Sequence, residues 1–196
     1  MLRGLSARLR ARGIEPLETR EPGGTPAGDR LRALLLDAPH ALEPATELFI
    51  VNAARSEHVA KVLRPALATG CIVLCDRFAD ATIAYQGGGR GLPLAAVRTA
   101  CELATGGLVP DLTLLVDLPW EAARKRLTAR ALASGEAADR LEREDAAFHE
   151  RVRAAYLALA AEEPGRFVVL DGTLAPEPLA AAAWPHLSRT LGLNAS

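Results

Sequence analysis

The run Cys71-Ile72-Val73-Leu74-Cys75-Asp76-Arg77 decides the fold. Five β-prone apolar residues in succession, with no polar alternation, suit a strand covered on both faces. The abrupt Asp76-Arg77 ending puts two charges at the rim of a sheet. Leu112 to Val116 ends the same way in Asp117, and Phe167 to Leu170 ends in Asp171-Gly172. Helical patterns separate these runs, so the chain is expected to be α/β, with a parallel sheet flanked by helices and ligands beyond the carboxyl ends of its strands.

Working back from Cys71, a long helix is expected from Pro44 to Ala68, with Pro in its first turn, Pro65 near its last and Gly70 beyond. Leu31, Leu34 and Leu35 form the apolar stripe of a short helix ending before Pro39. Arg20 to Thr25 reads as a loop, Ile14 to Thr19 as a short strand, and Leu2, Leu5 and Leu9 as a helix stopped by Gly13. Working forward, the small-residue segment 127–140 is bounded by arginines and reads as a mobile lid. Pro178 to Leu191 is an amphipathic helix. No repeat or second domain interrupts residues 1–196.

Composition sets limits on partners. A chain of 196 residues, 49% hydrophobic and 24% charged, has the balance of one globular domain rather than a disordered one. A formal net charge of -1 does not suit broad coating of nucleic acid or anionic membrane, although local basic clusters can still take phosphates. No apolar stretch spans a bilayer and no secretion signal opens the chain, so a cytoplasmic protein is expected. Cys71, Cys75 and Cys101 lack ligand-pair spacing and read as reduced thiols.

The Asp76-Arg77 pair offers a fork for phosphate oxygens and a carboxylate for a magnesium-bound water, or else an ordinary salt bridge. Its continuation, Ala84-Tyr85-Gln86-Gly87-Gly88-Gly89-Arg90-Gly91, is either a glycine loop approaching an anion or a merely flexible one. Together with Thr19-Arg20-Glu21-Pro22-Gly23-Gly24-Thr25, Pro110 to Asp117 and Asp139-Arg140-Leu141-Glu142, these strings resemble, in order, those of the bacterial thymidylate kinases. The resemblance covers essentially the whole chain. It implies a P-loop NTPase-like nucleoside monophosphate kinase fold and transfer of the γ-phosphoryl of ATP, with Mg2+, to dTMP.

Residue by residue, the resemblance implies that Arg77, with Arg20, holds the dTMP phosphate. Arg55 reads the thymine edge, Thr82 and Gln86 add polar contacts to the base, and Tyr85 lies beneath the deoxyribose. Asp139 and Glu142 close over the site. The lid arginines Arg126, Arg130 and Arg140 are expected to reach the ATP phosphates, with Arg130 and Arg140 foremost in transfer, and Asp76 to hold Mg2+ through water. A homodimer through helices is also implied. One position departs from the family: the aromatic residue that stacks on thymine, four before the helix arginine, is here Val51. Residues four apart share a helix face, so Val51 still adjoins Arg55. Phe49 lies about 200° round from it. The lost stacking is expected to cost about 1 kcal/mol of base binding.

The family also opens with an apolar strand and Gly-x-x-x-x-Gly-Lys-Ser/Thr, and no such motif occurs in these residues. Matching helix to helix places Met1 just after it. The expected consequences are a missing phosphate cradle and, since strands lie about 4.8 Å apart, a slot roughly 10 Å wide between the strands ending at Cys75 and Val116. A natural start roughly 20 residues upstream is expected on the length of a strand plus that loop. Two alternatives stay open: a non-catalytic deoxynucleotide-binding remnant, and a kinase for another deoxynucleoside monophosphate.

Overall fold

The computed structural model describes residues 1–38, 40–135 and 138–193. Four short parallel strands carry the fold: β1 (Leu17–Arg20), β2 (Val73–Asp76), β3 (Thr113–Asp117) and β4 (Phe167–Asp171). β1 pairs with β2 in the register Leu17↔Val73 to Arg20↔Asp76, and β3 with β4 in the register Thr113↔Phe167 to Asp117↔Asp171. Each strand includes its terminal charged residue, one position beyond the apolar run that announces it. β1 also starts later than its sequence suggests: Ile14 N–H is spent on Leu9 O, closing helix α1 (Leu2–Arg10).

Helices cover both faces. Alternate residues in and just before the strands feed two apolar layers: Ile72, Leu74, Leu112 and Leu114 pack with α1 and α9 (Pro176–Thr190) around Leu9, Leu179 and Leu187. Val73 and Leu115 face the other side, which holds α3 (Pro44–His58), α6 (Leu94–Thr105) and α8 (Ala146–Glu162). The expected helix 44–68 forms as one rod: α3, a wider π turn over Val59–Leu63, then α4 (Arg64–Ala68). Pro65 explains the widening. It has no N–H for the carbonyl four residues back and its ring crowds that carbonyl, and Arg64 N–H reaches back to Val59 O.

The two strand pairs do not join. β2 and β3 are unpaired with one another, and a cavity of about 1050 Å³ lies between them, lined by both strands and by Met1, Leu2 and Leu5 of α1. It falls where the sequence reading places the slot. Its cost shows in exposure: the apolar residues of β2 and β3 are half-buried, and Val116 is 37% exposed. Among the described residues, no ladder joins those facing edges.

The glycine run is not a loop. Helix α5 (Ala79–Thr82) continues as a π turn over Ile83–Gly89 that lies on α8. A Cβ on Gly88 would stand 2.5 Å from the Ala155 methyl, and one on Gly89 2.6 Å from the Phe148 ring. The glycines therefore serve close helix packing rather than anion approach. Arg90 points to carboxylates of the protein itself, Glu47 and Glu144. The 127–140 segment is largely helical, since α7 extends over Trp120–Ser134; residues 136–137 of that segment lie outside the described ones. Among the described residues, no helix is long and apolar enough to cross a membrane.

Candidate functional site

Parallel pairing of β1 with β2 sets Arg20 beside Asp76 at the carboxyl rim. Arg77 follows with φ +69, a left-handed turn uncommon for a side-chain-bearing residue. That turn lays its guanidinium over the Tyr85 ring, 4.9 Å from the centroid, and lets it donate to the Tyr85 hydroxyl at 3.2 Å. The Asp76–Arg77 salt bridge that the sequence left open is not formed. Among the described residues, neither the Asp76 carboxylate nor the Arg20 guanidinium has a hydrogen bond or ion pair.

A third cation joins them. Arg32, on α2 (Pro26–Leu36), donates to Pro22 O at 3.1 Å and lines a cleft of about 180 Å³ with Arg20. Burial pushes the Arg32 pKa down, and the charges of Arg20 and Arg77 push it further, against the opposing pull of Asp139 and Asp76. Three guanidinium groups thus share one field at the strand ends. Sequence reasoning missed Arg32, which looks like any polar residue on a short amphipathic helix.

Behind this rim lies a buried polar network. Arg55 is 2% exposed and all five of its N–H groups are engaged. Nε donates to Glu21 at 2.8 Å, one terminal nitrogen to Asn52 (2.9 Å) and Cys101 Sγ (3.7 Å), and the other to Phe78 O (3.1 Å) and Thr82 (3.0 Å). Glu21 also meets His58 Nδ1 at 2.9 Å, and His58 Nε2 meets the Thr19 hydroxyl at 2.8 Å. The Arg-Glu-Pro loop is therefore tied to α3 from beneath. The expectation that Arg55 reads the thymine edge meets a guanidinium already saturated by protein groups, and its placement makes it the anchor of Thr82 and Glu21. Val51 is buried one turn before it, against Leu35 and Ile50.

The tyrosine of the π turn, Tyr85, stands edge-on to Phe148 and Tyr156, at 6.0 and 6.4 Å between ring centroids. Gln86, 2% exposed, donates to Glu47. Asp139 and Glu142 cap one another: the Asp139 carboxylate accepts from Glu142 N at 2.8 Å and the Glu142 carboxylate from Asp139 N at 3.1 Å. Burial alone would raise the Glu142 pKa, but Arg130, donating at 2.8 Å, holds it below the ordinary range.

The lid arginines separate. Arg130 is at the surface with Glu142. Arg126 donates to the carbonyls of Gly172, Thr173 and Leu174, fastening α7 to the turn after β4. Arg140 turns inward: it is 7% exposed and donates to Leu35 O at 2.9 Å and Glu47 at 2.6 Å. In this structure it braces the interior, because a buried carboxylate lies within its reach. Of the strand-end aspartates, Asp117 pairs with Arg153 at 2.7 and 2.8 Å, and Asp171 accepts from Thr173. Among the described residues, Asp76 alone of these three has no hydrogen bond or ion pair. No cluster of three or more metal-ligating side chains occurs among the described residues. A lone carboxylate fits a magnesium ion that keeps most of its waters.

Comparison with known proteins agrees on one family. A family model described as thymidylate kinase matches residues 1–182. The thymidylate kinase of Chromohalobacter salexigens is 51% identical over 185 residues, 93% of this chain and 85% of that protein. That of Thermomicrobium roseum is 49% identical over 189 residues, 95% and 87%, and that of Geotalea daltonii 50% identical over 171 residues, 86% and 80%.

Proposed function

Because the chain belongs to the thymidylate kinase family, we propose that its β1–β2 rim is the acceptor site of a nucleoside monophosphate kinase, where dTMP receives a phosphoryl group from ATP. The observation that carries this reading is the convergence of Arg20, Arg32 and Arg77 at the strand ends, with Arg20 unpaired among the described residues. Planar guanidinium forks suit a terminal phosphate, and three of them suit its double charge. Tyr85, held by Arg77, offers a ring for the deoxyribose, and the stripe Val51, Thr82 and Gln86 faces the base.

On the donor side, Arg130 is an exposed lid arginine, paired with Glu142, whereas Arg126 and Arg140 are fixed by carbonyls and a buried acid. Transfer needs cations on the equatorial oxygens. Asp76 would hold a hydrated Mg2+ ion, which would supply charge neutralisation of the phosphates. These residues contain no P-loop sequence, so the chain alone is assigned dTMP binding with negligible transfer. Phe49 on α3 and Leu103 on α6, 69% and 85% exposed on neighbouring helices, are the proposed contact of a homodimer.

Calorimetric titration tests the reading. Wild type should bind dTMP, and Arg77→Ala should weaken binding about 10- to 100-fold, the scale of lost charge-assisted hydrogen bonds. Unchanged affinity in Arg77→Ala would place the phosphate elsewhere.

A further inference from the structure

Glu47, in the first turn of α3, is fully buried, yet its carboxylate touches no part of the phosphate rim. It collects four hydrogen bonds. Oε2 accepts from Gln86 Nε2 at 3.1 Å and Arg90 Nε at 3.0 Å; Oε1 accepts from Arg90 at 2.8 Å and Arg140 at 2.6 Å. Burial would raise the Glu47 pKa, but Arg90, Arg140 and Gln86 together hold it below the ordinary range, so the group is a carboxylate. A carboxylate only accepts. The end of the Gln86 amide that meets it is therefore the NH2, and the usual ambiguity of a glutamine amide is closed.

The amide is planar, so its carbonyl oxygen faces away from Glu47. Among the described residues nothing donates to that oxygen, and it is not sealed from solvent. Gln86 stands four residues after Thr82, whose hydroxyl takes the Arg55 guanidinium. Glu47, Val51 and Arg55 run four apart along one face of α3. Val51 thus shares its face of α3 with Glu47, the partner of Gln86, and with Arg55, the partner of Thr82.

We propose that Glu47 is a positioning residue that sets base preference by locking the Gln86 amide with its carbonyl toward the base. An imide base such as thymine or uracil carries a donor, N3–H, where cytosine carries an acceptor. A fixed carbonyl accepts from the first and opposes the second, leaving two buried acceptors unpaired. Arg90 and Arg140 keep Glu47 charged and immobile, which is why two cations are spent inside the protein. The inference rests on the reading of this site as the dTMP site.

The experiment is calorimetric titration of the full chain with dTMP and with dCMP. Wild type should prefer dTMP by about 10- to 100-fold, the scale of one buried hydrogen bond left unmade. Glu47→Gln presents either an amide or a carbonyl to Gln86, freeing it to turn, and should cut the ratio about tenfold, largely by strengthening dCMP. A fold defect cannot produce that gain. Gln86→Leu, which keeps Glu47 with both arginines, should lower the ratio through dTMP, and the double variant should go no further. Equal weakening of both nucleotides in Glu47→Gln, or an unchanged ratio in Gln86→Leu, would overturn the proposal. Wild type binding neither nucleotide would remove the acceptor reading itself; binding both alike would remove only the role of Glu47.

Discussion

The two sides of β2 obey opposite rules. On the side of β1, backbone groups are paired and the Arg55–Glu21–His58 network beneath the rim is closed, with every N–H of Arg55 used. On the side of β3, the strand edges face a cavity of about 1050 Å³. The same strand is therefore paired beneath the proposed acceptor site on one side and borders an open cavity on the other. On the proposed reading, nucleoside monophosphate binding belongs to the first side and phosphoryl transfer to the second, and variants can be chosen that strike one side alone.

The largest effect should come from the donor side. Fusing an apolar strand and a Gly-x-x-x-x-Gly-Lys-Ser loop ahead of Met1 should raise ATP-dependent conversion of dTMP at least ~10³-fold, the scale of single charge-stabilising groups in phosphoryl transfer. A coupled assay that shows no gain would break the comparison. Next is the network beneath the rim. Glu21→Gln leaves the buried Arg55 charge without its partner and should cost about 3–5 kcal/mol in denaturant unfolding.

Smaller effects sharpen the picture. Gly88→Ala drives a methyl into Ala155 and should destabilise by about 1–3 kcal/mol, the usual cost of overpacking. Glu47 yields a pH test. Its folded pKa lies below its unfolded one, so its contribution is present above the ordinary glutamate range, roughly pH 4.3, and is lost as pH falls through the folded value. Acid unfolding followed by circular dichroism should therefore have a shallower acid limb in Glu47→Gln than in wild type. The smallest change is expected from Val51→Phe, which restores an aromatic face and should tighten dTMP binding by about 1 kcal/mol, roughly fivefold.

What the sequence conveys follows from what is local. Apolar runs ending in a charge mark β3 and β4 to within a residue and β2 to within two, and two prolines bound the rod from Pro44 to Ala68, because strand burial and proline geometry act over a few residues. The split between β2 and β3 is also legible, through the absent motif. Long-range pairing is not. Arg140 looks like a lid cation, and only the fold shows Glu47, 93 residues away, beside it. Arg90 and the glycines before it look like an anion loop, yet the arginine meets Glu47, 43 residues away, and the glycines meet α8. A stripe of charges at positions 47, 55 and 58 on a helix otherwise built for burial is the one signal that a buried polar network runs there. Arg32 gives no such signal, since its role arises from where α2 sits relative to the ends of β1 and β2.

The separation of acceptor from donor is tested most directly by titrating the wild-type chain with dTMP and, separately, with Mg·ATP in a calorimeter. A saturable heat with dTMP and none with ATP is the predicted result; tight ATP binding, or no binding of dTMP, would contradict it.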